Sequence, residues 1–353
     1  MGLQRLKVVM RVLTALVVSL ASVAVAAEPA QKVDVIRLAD AFGNTGVYPF
    51  YIADELGFFK AEGIKPEFVG VVPPPQLVAA VLAGRLDVGG AHINRTIAGI
   101  NGGAKIKAVV ASTETTREQP HMLFVVPANS PIKTARDLIG KRVAIMAFGG
   151  CNEYTPYEWL RKNGIAKPKG QLKIVVVPPG KEIDVVAHGD ADVAGAHLSP
   201  KDLEKKGGNW RILFSDYDVW GSEGGATPNY FSDKFIKENP DVVRRFIKAM
   251  GKTLNWINEN PDKAKAVFAK RVKVDPNQVS VNHYATNGVI DERTVRLWID
   301  LLTDYKEIKP GIKPADIYTN SFNTAPPEKK RPGGKAKKAA GANAGGQKLP
   351  HQG

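Results

Sequence analysis

From residue 33 onward, short runs rich in β-branched residues alternate with stretches whose apolar positions recur every three to four residues. That alternation predicts strands and helices layered as α/β. Residues 33–39 read as a first strand, 40–46 as a loop, and 48–61 as a helix stopped by Gly63. Residues 65–72 read as a second strand. Pro73-Pro74-Pro75 then opens a helix to Leu82, and 87–91 form a short third strand. Proline fits the first turn of a helix because its missing N–H would have had no partner there. The same order recurs later, with strands at 142–147, 173–177 and 192–196 and a helix ending near Lys162. The stretch 231–305 reads as helical. Val242, Val243, Phe246, Ile247, Met250, Leu254 and Ile257 form one apolar stripe, with Arg244, Arg245 and Lys248 off it.

The recurrence is a sequence repeat as well as a pattern. Residues 71–92 align without gaps on 176–197 at an offset of 105, and 11 of 22 positions are identical. Valines would match by chance in any two similar βαβ units. Two prolines and a closing Gly-Ala-His in register are harder to obtain that way, so the repeat predicts two equivalent lobes.

Composition changes the picture mainly at the two ends. Residues 1–27 carry Arg5, Lys7 and Arg11, then an apolar run, then Ala24-Val25-Ala26-Ala27. This is the pattern of a secretory leader. Residues 326–353 are rich in Gly, Ala, Pro and Lys and read as a disordered basic tail. The formal charge of +14 includes +3 from the leader and +6 from the tail, leaving +5 for the body. A body of that charge is mildly biased towards anions and is not a nucleic-acid footprint. Cys151 is the single cysteine, so no internal disulfide can form.

Ligands of open α/β sheets bind beyond the carboxyl ends of strands. That rule selects Phe42, Gly43 and Asn44 after the first strand, and His92 with Asn94 after the third. In the second lobe it selects Gly149, Gly150, Cys151 and Asn152, and then His197. Trp220 and the 221–225 glycine loop fall where the chain would return to the first lobe, as a pocket wall and hinge material. Gly149-Gly150 before a helix would let a ligand approach the backbone closely. None of the six histidines shows metal-ligating spacing in the sequence, so no metal and no cofactor is expected. Cys151 with His92 or His197 could form a nucleophile–base pair, but no local nucleophile motif accompanies them, and no catalytic residue is assigned.

Tyr48-Pro49-Phe50-Tyr51-Ile52-Ala53 with Leu56-Gly57-Phe58-Phe59 resembles the opening of the periplasmic substrate-binding proteins of nitrate/sulfonate/taurine and thiamine-precursor importers. Leu82-Ala83-Gly84-Arg85-Leu86-Asp87, Leu138-Ile139-Gly140-Lys141-Arg142-Val143 and Asn239-Pro240 with Val242 to Phe246 are similar to later parts of that family. The resemblance implies a type 2 periplasmic binding protein fold, two α/β lobes with a ligand cleft between them. Lobe 1 would comprise 28–120 and 222–325, and lobe 2 would be 121–221. It also implies a monomer in the periplasm that captures a small organic solute, anionic or aromatic, and delivers it to the membrane permease of an ABC importer. An enzyme on the same fold and the binding subunit of a membrane sensor are the alternatives. His92 stands where the family often has a small or acidic residue, and Leu198-Ser199-Pro200 replaces a Trp-x-Pro-like turn. The cysteine-rich motif of thiamine-precursor synthases is absent.

Overall fold

The computed structural model describes residues 33–40 and 48–323. The leader, the loop bearing Phe42, Gly43 and Asn44, and the basic tail lie outside the described residues. The chain opens with strand β1 (Asp34–Asp40), helices α1 (Tyr48–Glu55) and α2 (Phe58–Ala61), strand β2 (Ile64–Val71) and helix α3 (Leu77–Leu82). Strand β3 (Gly89–Gly90), helix α4 (Ile93–Asn101) and strands β4 (Ile106–Val110) and β5 (Thr113–Glu114) follow. Next come β6 (Leu123–Pro127), β7 (Arg142–Ile145), α5 (Cys151–Lys162), β8 (Lys173–Val176), α6 (Glu182–Ala187) and β9 (Val193–Ala196). Helix α7 (Pro200–Lys205), β10 (Trp210–Ser215) and α8 (Asp216–Trp220) close that stretch. The chain then returns through β11 (Asn229–Ser232), α9 (Asp233–Glu238), α10 (Pro240–Glu259), α11 (Pro261–Val272), β12 (His283–Tyr284), α12 (Glu292–Asp304) and α13 (Pro314–Ile317).

Strands β6 to β10 form one sheet of order β10-β6-β9-β7-β8. Strand β7 runs parallel to β8 and β9, while β6 runs antiparallel to both β9 and β10. The other sheets join chain from before and after this block. The returning β11 lies between β3 and β4, and β12 pairs with β5. The apolar stripe of α10 is buried along its length, as its spacing requires, and the helix packs on α1, α2 and β4. No described helix is long and apolar enough to cross a membrane.

Two expectations need correction. The helix expected over 48–61 is broken, because Gly57 takes φ +71, a left-handed conformation that ends α1 and starts α2 afresh. The stretch 231–305 is not wholly helical, since Phe231 lies in β11 and the His283–Tyr284 pair completes a short sheet.

The repeat has a three-dimensional counterpart beyond the aligned segment. The Arg37 amide and Nε both donate to Asp87 Oδ2, at 2.8 and 3.1 Å, and Nη2 donates to Oδ1 at 2.6 Å. Arg142 makes the same three bonds to Asp192, at 2.8, 3.2 and 2.8 Å. Both members of the second pair lie 105 residues after the first. Each arginine opens or lies within the first strand of its unit, and each aspartate precedes the third. The clamp therefore fixes the strand edge from which the repeated Gly-Ala-His emerges.

The chain entering the β6–β10 block and the chain leaving it are laced together. Thr113 donates its hydroxyl to the Gly225 carbonyl at 2.7 Å, and its amide donates to Thr227 Oγ1 at 3.1 Å. Thr115 donates to the buried Asp216. Gly225 has to be glycine here, since a Cβ would lie 2.3 Å from Thr115 Oγ1 and 2.5 Å from the Cβ of His121. The β6–β10 block also meets the rest of the chain on two flanks. On one, Lys265 Nζ lies 2.5 Å from Asp202 Oδ1 and Ser280 donates to Oδ2 at 2.7 Å. On the other, Tyr305 donates to Glu158 at 2.7 Å.

Candidate functional site

Between these contacts lies a pocket of about 520 Å³, counted with its open mouth. Its wall includes His92, Arg95, His121, Gly150, Cys151, Asn152 and His197, and Pro74, Ala91, Met146 and Ala147 give it an apolar side. The repeat thus delivers both of its terminal histidines to one cavity. His92 precedes α4 and His197 follows β9.

The two histidines are not equivalent in their bonding. His92 places Nδ1 3.0 Å from Asn94 Oδ1 and Nε2 2.9 Å from the Gly224 carbonyl, and its ring meets Trp298 edge-on at 4.6 Å. Both ring nitrogens face protein oxygens, and the ring donates its N–H to one of them. His197 lies with Nε2 3.5 Å from Cys151 Sγ and its ring edge-on to His121 at 4.8 Å. Burial pulls the pKa of His92 and of His197 down to about 4, and His121 well below its usual value. All three imidazoles are therefore neutral at neutral pH. Burial also pushes the Cys151 thiol up to about 12, so the Cys151–His197 contact joins two uncharged groups.

Arg95 supplies the site's charge. It projects from the first turn of α4, and Nη2 donates to the Phe148 carbonyl at 2.6 Å. Burial lowers its pKa, but a guanidinium remains protonated at neutral pH. Among the described residues no carboxylate forms an ion pair with it. The glycine pair makes room for this group. A Cβ on Gly150 would lie 2.8 Å from Asn152 Oδ1 and 3.1 Å from Arg95 Nη2. Gly149 has φ +69, and its amide donates to Glu153 in the first turn of α5. Asn152 is 2% exposed, and its Nδ2 has no partner among the described residues. The wall thus offers a fixed cation and an unused amide donor.

Several expected residues sit elsewhere. Asn94 lies behind His92 rather than in the wall, and Gly149 sits just outside it. Trp220 is also outside, because its indole N–H donates to Thr155 at 3.1 Å and its ring packs 5.2 Å from Trp298. Arg95 and His121 escaped the sequence reading. Arg95 had a signal, being the only Lys, Arg, Asp or Glu between Asp87 and Lys105. His121 had none within a search of strand ends. Strand β6 is antiparallel, with Leu123 opposite Ala196, so residues just before β6 reach the same edge as those just after β9.

A sequence model of the family described as NMT1/THI5 like matches residues 44–264. A candidate aliphatic sulfonates-binding protein of Bacillus subtilis (strain 168) is 25% identical over 284 residues, covering 78% of this chain and 83% of that one. The alkanesulfonate-binding protein SsuA from Xanthomonas axonopodis pv. citri, solved bound to MOPS, superposes with a TM-score of 0.63 at 17% identity, covering 83% of this chain and 99% of its own. The desulfurization enzyme DSZB superposes with a TM-score of 0.53 at 14% identity, covering 82% of this chain and 97% of its own. These likenesses establish the two-lobed periplasmic binding protein fold expected from the sequence. Since the matched span is well over half of the sequence, the chain belongs to the NMT1/THI5-like family.

Proposed function

We propose that this protein is an extracytoplasmic solute-binding protein that closes its two lobes on a small organic anion and presents it to the permease of an ABC importer. The lobes are assigned to residues 28–120 with 222–325 and to 121–221, a division supported by the grouping of β6 to β10 into one sheet. One observation carries the anion: Arg95 lines the pocket with no carboxylate partner among the described residues. A half-buried guanidinium without a carboxylate partner is poorly compensated, so a site of this kind gains by receiving a counter-charge from its ligand. Asn152 Nδ2 supplies a second donor, and neutral imidazoles add hydrogen bonding without competing charge. The apolar side suits the carbon skeleton of such a solute. The family membership and the sulfonate-binding relative support the import role and a periplasmic setting.

The test is a thermal-shift screen of the purified chain, in chelator, against organic sulfonates, carboxylates and phosphonates. A ligand held at 100 times its Kd stabilises by about 2.7 kcal/mol. Arg95→Gln should abolish the shift from the best anion while leaving the unliganded Tm nearly unchanged. No shift with any anion, or an equal shift in the variant, overturns the reading.

The 3.5 Å contact between Cys151 and His197 favours a second reading, an enzyme with a cysteine nucleophile. Nucleophilic cysteines act as thiolates, whereas burial holds this one protonated. Binding is therefore preferred. Turnover of any bound anion that stops in Cys151→Ala would reverse that preference.

A further inference from the structure

His121, Cys151 and His197 come from three distant stretches of chain, yet one donor atom from each lies within 4.8 Å of the others. We propose that they bind a single late transition-metal ion of borderline or soft character, for which Zn²⁺ is the probe, with the remaining coordination position open to the pocket. Thiolate and imidazole together select such ions over Mg²⁺ or Ca²⁺. Bond lengths of about 2.3 Å to sulfur and 2.0–2.1 Å to nitrogen set adjacent donors of a tetrahedral zinc about 3.5 Å apart. The Cys151 Sγ to His197 Nε2 edge already has that length, at 3.5 Å. The other edges close by shifts of about 1.3 Å at most, shared between two side chains.

The surroundings hold the ligands in place. Cys151 is the first residue of α5, and its carbonyl accepts the Thr155 hydroxyl at 2.7 Å. The Asn282 side-chain amide lies 3.1 Å from His121 Nδ1. An amide can present either its oxygen or its nitrogen, so it can fix the ring from outside the coordination sphere. His92 is not a ligand in this arrangement, because its two ring nitrogens face the Asn94 and Gly224 oxygens rather than the cluster. Three protein ligands with an open position form a binding or reactive site rather than a closed structural one.

Charge decides what fills the open position. Ligation replaces the thiol proton, which leaves for solvent, one per ion. A divalent ion on one thiolate and two neutral imidazoles keeps a net charge of +1 beside the Arg95 guanidinium. That pair of positive charges selects an anionic group for the fourth position. Only this last step rests on the anion-binding reading; occupation by the metal does not.

The experiment uses the full chain without added histidines, stripped with chelator and titrated with Co²⁺, then Zn²⁺, in the absence of solute. One equivalent of cobalt should give a thiolate-to-cobalt absorption band that one equivalent of zinc removes. Calorimetry in two buffers of different ionisation enthalpy should read one proton released per ion. Cys151→Ala should lose the band and at least a hundredfold in zinc affinity, and His197→Gln at least tenfold, with circular dichroism unchanged. Arg95→Gln should bind zinc several-fold more tightly, because a repelling charge has gone, although it no longer holds the anion. Absence of the band in the wild-type chain, or unchanged zinc affinity in either ligand variant, overturns the proposal. The wild-type band decides the matter even if a variant fails to fold. The solute screen in chelator fails or succeeds independently.

Discussion

Asp216 shows how a single buried residue ties the start of α8 to the chain just before β6. It accepts from Thr115 and, at 3.2 Å, from the Met122 amide, and burial nonetheless pushes its carboxyl up to about 7. In an unfolded chain an aspartate titrates near about 3.9. Between those values the folded chain holds a proton that the unfolded chain has lost, so this group makes stability fall as pH rises from about 4 to 7. Asp216→Asn removes that contribution. In denaturant melts the wild type should gain on the variant as pH drops from about 8 to 5; parallel profiles would refute the assignment. Single residues were unevenly legible in the sequence. His92, Gly150, Cys151, Asn152 and His197 follow from the strand-end rule and all line the pocket. Arg95 was missed although it is a solitary charge in an apolar stretch, because the rule was followed only to the first two helical residues, and Arg95 is the third of α4. Trp220 was misplaced because an aromatic near a crossover can satisfy its N–H within the core as well as against a ligand.

At the scale of elements, the paired clamps make a built-in comparison. The Asp87 side chain is 9% exposed and that of Asp192 is 29% exposed, while their arginines are equally exposed at 41%. Each carboxylate accepts the backbone amide and Nε through one oxygen and Nη2 through the other, so Asn, which keeps a single acceptor, sets a guanidinium N–H against an amide N–H. Asp87→Asn should cost about 2 kcal/mol and Asp192→Asn about 1 kcal/mol, the difference following burial. Equal costs in urea unfolding would show that burial does not set the strength of the clamp. The repeat and the α10 stripe were readable because both rest on periodic side chains. The break at Gly57 was not, since a glycine inside a helical pattern does not announce its φ. Nor was the insertion of β11 between β3 and β4, because strand pairing across more than a hundred residues leaves no local trace.

For the whole molecule, on the proposed division into lobes, retention of a solute depends on how firmly the two hold together. The Asp202–Lys265 contact is nearly dry, with side chains 6% and 11% exposed, and it joins α7 to α11. Replacing both partners, Asp202→Asn with Lys265→Met, removes the pair without leaving a lone buried charge. Solute should then dissociate about tenfold faster in stopped flow, with association little changed, since contacts of this kind act mainly on release. An unchanged release rate would mean that this flank does not hold the closed form. Trp298 adds a different kind of consequence. Fully buried, it belongs to α12 of the returning chain, while Trp220, 5.2 Å away, ends α8 beside the five-stranded sheet. Two indoles at that distance couple their electronic transitions, and His92 stands edge-on to one of them. On the proposed division into lobes the pair is an optical gauge: opening of the lobes would uncouple the two rings and change the near-ultraviolet dichroism and emission, with no label attached.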